Sequence, residues 1–188
     1  DAMNEVFDSL VAAGVERSDL QLAWSFTVAS TESLTSRILA VRDQTIDWLV
    51  ENGGKYTITQ VTPRSRDDVS VQVAGTFTSV NHMTGSGEPG ERFNYANDDP
   101  DALPQPNGEI EVPFLCQVPI IAETEPDRAL RPGLYGHGLL GSEYEIDYGG
   151  DVRALGNEAG ILFCSTQWAG MSEICLLYTS PSPRDVEE

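Results

Sequence analysis

The chain has 188 residues, 40% of them hydrophobic, a composition typical of a globular protein with apolar residues for one domain or two small ones. Its 30 acidic residues against 11 lysines and arginines give a formal net charge of -19 at pH 7. This charge repels phosphate backbones and anionic lipid surfaces, so nucleic acid is not an expected partner. No run of about 18 apolar residues occurs, so no transmembrane segment is predicted.

The N-terminal part predicts two helices separated by a strand. MNEVFDSLVAAG predicts a short helix that stops at Gly14. Apolar residues at every second position of DLQLAWSFTVAS predict a half-buried strand over 19–30. From Glu32 to Asn52 the apolar residues recur at helical spacing, Ser30 or Thr31 can cap the start, and two glycines end the pattern. Among the apolar residues, Trp24 and Trp48 are expected to anchor the core.

After this helix the apolar period changes to two. The runs KYTITQV, DVSVQVAGTFTSV and EIEVPFLCQVPII predict three strands. Residues 81–108 are rich in Gly, Pro, Asn and Asp and predict a solvated loop, in which no partner for His82 is evident. The acidic residues at 97–101 offer oxygen ligands for calcium, but they lack the glycine and distal glutamate of an EF-hand loop. No metal site is therefore predicted.

The remaining part predicts strand, helix and strand. GLYGHGLLGS reads as a strand followed by a glycine loop, a helix is expected around Val152–Glu158 with Gly160 as its stop, and ILFCSTQWAGMS reads as a buried strand. Such a succession implies a parallel pair with a right-handed crossover. The predicted fold class is therefore α/β, with the earlier long strands as an antiparallel edge.

Two cysteines lie in apolar, strand-like runs. Cys116 and Cys164 could form one disulfide in an exported protein, or they could be two buried free thiols. The third cysteine begins CLLYTSPSPRD, residues 175–185, which resembles the conceptual translation of a transposon-end sequencing adapter. We interpret residues 175–188 as a non-native tail and leave them out of the fold prediction.

The stretch GLYGHGLLGS has the residue types that an oxyanion-stabilising loop needs. Acyl transfer places negative charge on a carbonyl oxygen, and backbone N–H groups aimed at that oxygen stabilise the transition state. Gly136 and Gly138 allow the bare backbone to approach a substrate, and His137 can support the loop through side-chain hydrogen bonds. A tight structural turn is the alternative interpretation of the same glycines.

LYGHGLLGS followed by NEAGILFCSTQWAGMS resembles the bacterial α/β-hydrolase and lipase superfamily, particularly exported lipase-like proteins with a β-rich N-terminal region. DLQLAWSFTVAS is similar to the end of the N-terminal domain in those proteins. The resemblance implies that the residue after the His-Gly pair, Leu139, donates its N–H to the oxyanion, with Gly138 and His137 supporting the loop. Trp168 and Met171 are expected to border the substrate pocket, on position alone.

The resemblance also implies the organisation and setting of the protein. Residues 1–62 would be a small N-terminal α+β region and residues 63–174 the first part of a truncated α/β-hydrolase domain. The substrate would be an ester or a lipid, and no cofactor is implied. The location would be extracellular or in the cell envelope, with the signal peptide not included in this chain.

The rest of a catalytic triad is not recognisable in the sequence. The superfamily places its nucleophile in a G-x-S-x-G elbow after a later strand, followed by an acid and a histidine, and no such elbow occurs here. GMSEI imitates its first three positions, but Ser172 follows too early a strand to be the expected nucleophile. His137 precedes the elbow position and is not the expected base. The chain by itself is therefore predicted to be inactive.

Two other classes of function compete with this interpretation. A non-catalytic extracellular binding or adhesion module would need none of this chemistry. A nucleotide-binding domain is the weaker rival: residues 136–141 fit G-x-G-x-x-G, and Glu158 would have to be the acidic ribose partner. Glu158 falls on the predicted helix rather than after the next strand, which counts against this rival.

Overall fold

The computed structural model describes residues 2–88, 90–97, 99 and 102–173. The tail interpreted as translated adapter lies outside these ranges. The chain divides into two compact units, Asp1–Arg37 and Ile38–Glu188. The expected domain limits at 62/63 and 174/175 remain predictions, although residue 62 falls within a strand of the second unit.

The first unit contains the predicted N-terminal helix but not the predicted strand. Helix α1, Ala2–Ala12, is followed by Gly14 with a φ of 83°, as expected for its stop. A 3-10 turn, Arg17–Asp19, comes next, and the alternating segment 20–30 is irregular. The strand prediction is wrong because no described residue pairs with this segment, and alternation without a ladder partner does not make a strand. Trp24 is 65% exposed, so it does not anchor a core.

Helix α2, Thr31–Asn52, confirms the second predicted helix. Ser30 caps its start, since its Oγ accepts the Ser33 N–H at 3.1 Å. Gly53, with a φ of 72°, donates its N–H to the Leu49 carbonyl at 2.9 Å and ends the helix. Trp48 is half-buried, and the Lys55 Nζ lies 5.5 Å from the centroid of its ring.

The second unit has a mixed α/β fold around a five-stranded, mostly antiparallel sheet in the order β1-β2-β3-β5-β4. The strands are β1 Tyr56–Arg66, β2 Val69–Val80, β3 Glu109–Pro119, β4 Arg131–Tyr135 and β5 Ile161–Thr166. The helices of this part are α3 Ile121–Thr124, α4 Glu145–Tyr148 and α5 Gly150–Ala159. The three predicted β runs are confirmed, except that the last two residues of the third run, Ile120 and Ile121, lie outside β3, and Ile121 begins α3.

The predicted strand, helix and strand are also present. β4 and β5 pair in parallel, while β1, β2, β3 and β5 pair antiparallel along the rest of the sheet. Helix α5 precedes β5 and ends at Gly160, which has a φ of 65°. This confirms the α/β class together with its antiparallel edge.

The core of this unit lies where α4 and α5 meet the sheet. Its fully buried apolar side chains include Val69, Leu115 and Ile146. Cys116 and Cys164 stand directly opposite each other on β3 and β5 and form a disulfide. The bridge resolves the two alternatives that the sequence left open.

Asp147 on α4 connects that helix to three strands. Its carboxylate accepts two hydrogen bonds from the Arg66 guanidinium, at 2.9 and 2.8 Å, and one each from the amides of Gln72 and Gln117, at 3.1 and 3.0 Å. The hydrogen bonds and charge of Arg66 hold the pKa of Asp147 below its usual value of 3.8, against the opposing effect of burial. The ionised form of Asp147 therefore stabilises the folded state.

Replacing Asp147 with asparagine is expected to lower the free energy of unfolding by about 2 kcal/mol at neutral pH, because a charged acceptor of four hydrogen bonds is lost. The contribution of ionised Asp147 to the free energy of unfolding is complete above pH 3.8. It is lost as the pH falls below 3.8 through the folded-state pKa of Asp147. Urea denaturation at neutral pH and at about pH 3 measures both effects. If the free energies of unfolding of the wild-type protein and the Asp147→Asn variant differed by the same amount at both pH values, this account would be contradicted.

The start of the 81–108 segment is buried, which corrects the prediction of a wholly solvated loop. Asn81 is 2% exposed and His82 is 5% exposed. The His82 Nε2 lies 3.1 Å from Gln44 Oε1, and Gln44 Nε2 donates to the Pro104 carbonyl at 3.1 Å. Burial lowers the pKa of His82. Polar residues are buried here because their side chains find partners.

Candidate functional site

Three loops meet at one edge of the sheet. β4 and β5 are parallel and end there at Tyr135 and Thr166. β3 runs antiparallel to β5 with Phe114 opposite Thr166, so the start of β3 and the end of β2 lie at this edge as well. The loops at this edge are 81–108, 136–144 and 167–173. The carboxyl ends of parallel strands are the usual place for a ligand in an α/β sheet.

His137 is buried in the glycine loop and is 3% exposed. Its Nδ1 lies 2.7 Å from the Gly138 carbonyl oxygen, and its Nε2 lies 2.9 Å from the Trp168 backbone nitrogen. A carbonyl oxygen can only accept and an amide N–H can only donate, so Nδ1 carries the proton and Nε2 accepts. Both ring nitrogens are therefore occupied by backbone groups.

Gly138 is held by a carboxylate that the sequence analysis did not single out. Its N–H donates to Glu145 Oε2 at 3.0 Å, and the Tyr135 hydroxyl donates to the same oxygen at 3.2 Å. Burial, together with the hydrogen bond and charge of Glu145, raises the pKa of Tyr135. A side chain at Gly141 would collide with the Glu145 carboxylate, so glycine leaves this carboxylate room beside the Gly138 N–H.

Leu139 and Leu140 use their backbone differently. Leu139 is 68% exposed, and its N–H has no hydrogen-bond acceptor among the residues that the structure describes. Leu140 has a φ of 64° and donates its N–H to the Met171 carbonyl at 2.9 Å. The Leu139 amide is thus unbonded between two bonded neighbours.

Trp168 and Met171 lie against the glycine loop. The Trp168 ring packs over Gly136, where a side chain would collide with it, and its centroid is 5.9 Å from that of the His137 ring. Met171 supplies the carbonyl that holds Leu140. Both side chains are partly exposed. The structure therefore brings all five predicted site residues together: His137, Gly138, Leu139, Trp168 and Met171.

Ser172 was considered as a nucleophile and Glu158 as the ribose partner of a nucleotide site, and both lie in positions unsuitable for these roles. Ser172 is fully buried, and its hydroxyl has no hydrogen-bond partner in the described part of the chain, so a substrate cannot reach it. Glu158 is exposed near the end of α5, which leads into the start of β5 and hence to the opposite edge of the sheet.

Tyr135 and Glu145 are the site residues that sequence reasoning missed. Glu145 is one of several acidic residues in SEYEIDY, and nothing in that text distinguishes it from its neighbours. The available signal was its place in the first turn of a helix directly after the glycine loop, where a carboxylate is favoured. That signal indicates a carboxylate but not its partner.

Replacing Glu145 with alanine is expected to release the Gly138 N–H and to lower the free energy of unfolding by about 1–2 kcal/mol. Amide hydrogen exchange should become about tenfold faster at Gly138 and stay unchanged at Leu140, whose N–H binds Met171. Glu145→Gln retains an acceptor oxygen and serves as the matched control. Unchanged exchange at Gly138 in the alanine variant would contradict the assigned role.

The described residues contain no group of three His, Cys, Asp or Glu side chains that could hold a metal ion. Part of the acidic segment 97–101 lies outside the described ranges. Within those ranges no helix is long and apolar enough to cross a membrane.

No protein-family model, curated protein or solved structure matches this chain.

Proposed function

We propose that this chain carries the oxyanion-hole loop of a serine carboxylic-ester hydrolase of the esterase or lipase type. The observation that carries the proposal is the Leu139 N–H, which has no acceptor among the described residues, while the neighbouring N–H groups of Gly138 and Leu140 are bonded to Glu145 and Met171. A donor that is held in place without an acceptor of its own is what a developing oxyanion requires.

The supporting contacts fit this role. His137 ties the loop to Trp168, and Leu140 ties it to Met171, so the peptide at Leu139 is fixed from both sides. A fixed donor costs no reorganisation when the carbonyl oxygen becomes negative. His137 therefore acts as a support, and its occupied ring nitrogens make it unsuitable as the catalytic base.

The fold supports the same proposal. Antiparallel strands precede a parallel pair joined through helices, and β4 is the third strand when counting begins at β2. The α/β-hydrolase superfamily places its oxyanion loop after the third strand and before the first helix. The glycine loop occupies the corresponding position between β4 and α4.

In this proposal the nucleophile, acid and base come from sequence outside these 188 residues. The printed sequence contains no G-x-S-x-G elbow, and Ser172 is buried. The chain on its own is expected to bring a donor and loop support to the reaction but no nucleophile. Ester hydrolysis by the purified chain above that of a His137→Ala variant would contradict this assignment.

The disulfide supports an exported protein. A bridge such as Cys116–Cys164 forms and persists in oxidising compartments. This agrees with the proposed extracellular or cell-envelope location. An ester or lipid substrate does not require a basic protein surface. Such a substrate is therefore compatible with the net charge of -19.

The nucleotide-binding alternative is disfavoured by charge. The Gly138 N–H, which would be needed for a phosphate, binds the Glu145 carboxylate, and that carboxylate would repel a phosphate. The non-catalytic module is separated from the hydrolase by the experiment that follows.

The test is to amplify and sequence the source DNA across the codon for Glu173 without library adapters. The expected reading frame continues into a strand, a G-x-S-x-G turn, and later an acid and a histidine. The extended protein should then hydrolyse esters and lose this activity when the elbow serine is replaced with alanine. A frame that stops or lacks the elbow would overturn the proposal and favour a binding module.

A further inference from the structure

The disulfide lies on the face of the sheet that points away from α4 and α5. Phe163, next to one cysteine, lines a small pocket with residues of α5, and Gln117, next to the other, donates to Asp147 of α4. Successive side chains of a strand point to opposite faces of the sheet. Cys116 and Cys164 therefore point away from both helices.

The row of side chains that contains the bridge is apolar and partly exposed. Strand register places five residues in this row, one from each strand: Leu134, Cys164, Cys116, Val73 and Val61. Leu134 is 76% exposed, Val61 is 55% exposed, and neither cysteine is fully buried. The row contains no charged residue, so an approaching thiolate meets no carboxylate within it. Exposed disulfides are the ones that exchange readily with thiols.

The bridge joins two halves of the sheet. One half is the antiparallel set β1, β2 and β3, and the other is the parallel pair β4 and β5, which leads into the glycine loop. The register between β3 and β5 extends from Phe114 to Gln117, whereas β2 and β3 pair over the whole length of both strands. The bridge lies within this short register. It therefore reinforces the junction where the backbone pairing is shortest.

The loop after β5 connects this junction to the glycine loop. Trp168 follows Cys164 by four residues, and its N–H donates to His137 Nε2 at 2.9 Å. The Met171 carbonyl, in the same loop, accepts the Leu140 N–H at 2.9 Å. The position of β5 relative to β3 therefore determines where these two groups meet the glycine loop.

On the helix side, the sheet has links that do not involve sulfur. The Arg153 guanidinium binds the Asp68 carboxylate at 2.9–3.0 Å, and Asn157 donates to the Asp68 carbonyl at 2.9 Å. Asp147 accepts hydrogen bonds from three strands. These links do not depend on the bridge. We therefore expect its reduction to loosen the β3–β5 junction without unfolding the unit.

We propose that the Cys116–Cys164 bridge is a redox switch, opened by a dithiol reductant, that controls how firmly the glycine loop is held. A thiolate of the reductant attacks the Sγ of one cysteine, forms a mixed disulfide and releases the other cysteine, which takes up a proton. The second thiol of the reductant then loses its proton and displaces the remaining cysteine, so that the reductant closes its own disulfide. Two electrons and two protons pass from the dithiol to the bridge.

The first test measures how fast dithiothreitol reduces the bridge in the Cys175→Ser protein at about pH 8, with alkylation and mass spectrometry to count the free thiols. Reduction of the folded protein is expected, so about 1 M urea, below the unfolding transition, should change the rate less than about twofold. The unfolded fraction rises more than about tenfold over the same range. A reduction rate that rises in parallel with the unfolded fraction would show that the bridge opens only on unfolding, and would overturn the proposal.

The second test locates the effect of reduction through the NMR signals of the indole N–H groups. Reduction is expected to shift and broaden the signal of Trp168, which packs against the glycine loop, and to leave that of Trp48 on α2 in place. The Cys116→Ser/Cys164→Ser variant is the matched control. Its Trp168 signal should lie at the reduced position, and dithiothreitol should move no signal.

Two outcomes of the second test would overturn the proposal. An unchanged Trp168 signal in the reduced protein would show that the bridge does not act on the glycine loop. An equal change at Trp48 would show that the bridge holds the whole unit together and is not a local switch. Because both readouts are structural, the switch can fail while the hydrolase proposal stands, and the reverse also holds.

Discussion

Replacing Cys116 and Cys164 with alanine is expected to lower the free energy of unfolding by about 4 kcal/mol relative to the oxidised protein. The bridge closes a loop with a sequence separation of 48, and removing it restores conformational freedom to the unfolded chain. The folded sheet should persist, since β3 and β5 stay paired through their backbone. Urea denaturation of both proteins on a Cys175→Ser background measures the difference.

Reduction provides the control for this experiment. A reducing agent should bring the wild-type protein close to the stability of the double alanine variant and leave that variant unchanged. If the oxidised wild-type protein and the variant unfold within about 1 kcal/mol of each other, the bridge does not supply the expected stabilisation.

Replacing Leu139 with proline is expected to lower kcat about 100- to 1,000-fold in a chain extended to include its nucleophile. Proline has no N–H, so the substitution removes the proposed oxyanion donor. KM should change little, because this donor acts on the charge of the transition state. Steady-state kinetics with a short-chain ester measures both constants.

Leu139→Ala is the matched control, since it shortens the exposed side chain and keeps the N–H. It should retain kcat within about threefold, which lies far inside the effect of removing a donor. A similar loss in the alanine and proline variants would assign the effect to the side chain and contradict the proposed donor. Hydrogen exchange at Leu140 checks that the loop is still tied to Met171.

Local patterns gave most of the regular elements of the fold. Helix α2 lies within one residue of its predicted start; Ser30 is one of the two caps that the sequence offered, and Gly53 is the first of the two glycines expected to end the helix. The long strands and α5 were also predicted. Over ten residues or more, apolar residues spaced every second position can be distinguished from apolar residues at helical spacing. The segment 20–30 shows the limit, since its alternation is as regular as that of β2 but no strand within the described ranges pairs with it.

The site shows the same limit at the level of side chains. The text GLYGHGLLGS indicated the loop and its residues, because glycines and a histidine in that order are locally unusual. It did not indicate Glu145 as the acceptor for Gly138, or Gln44 as the partner of the buried His82. Those partners lie 7 and 38 residues away in sequence, and only packing brings them within hydrogen-bond distance.

The sequence by itself determined the acidic charge, the helix stops at Gly14, Gly53 and Gly160, and the parallel pair on either side of α5, because these depend on local conformation and composition. The tertiary structure decided which cysteine faces which, which tautomer His137 adopts, and which groups accept the Gly138 and Leu140 N–H groups. The physical reason is that strand register and long-range hydrogen bonds are set by pairing between distant segments, and no local pattern encodes the partner.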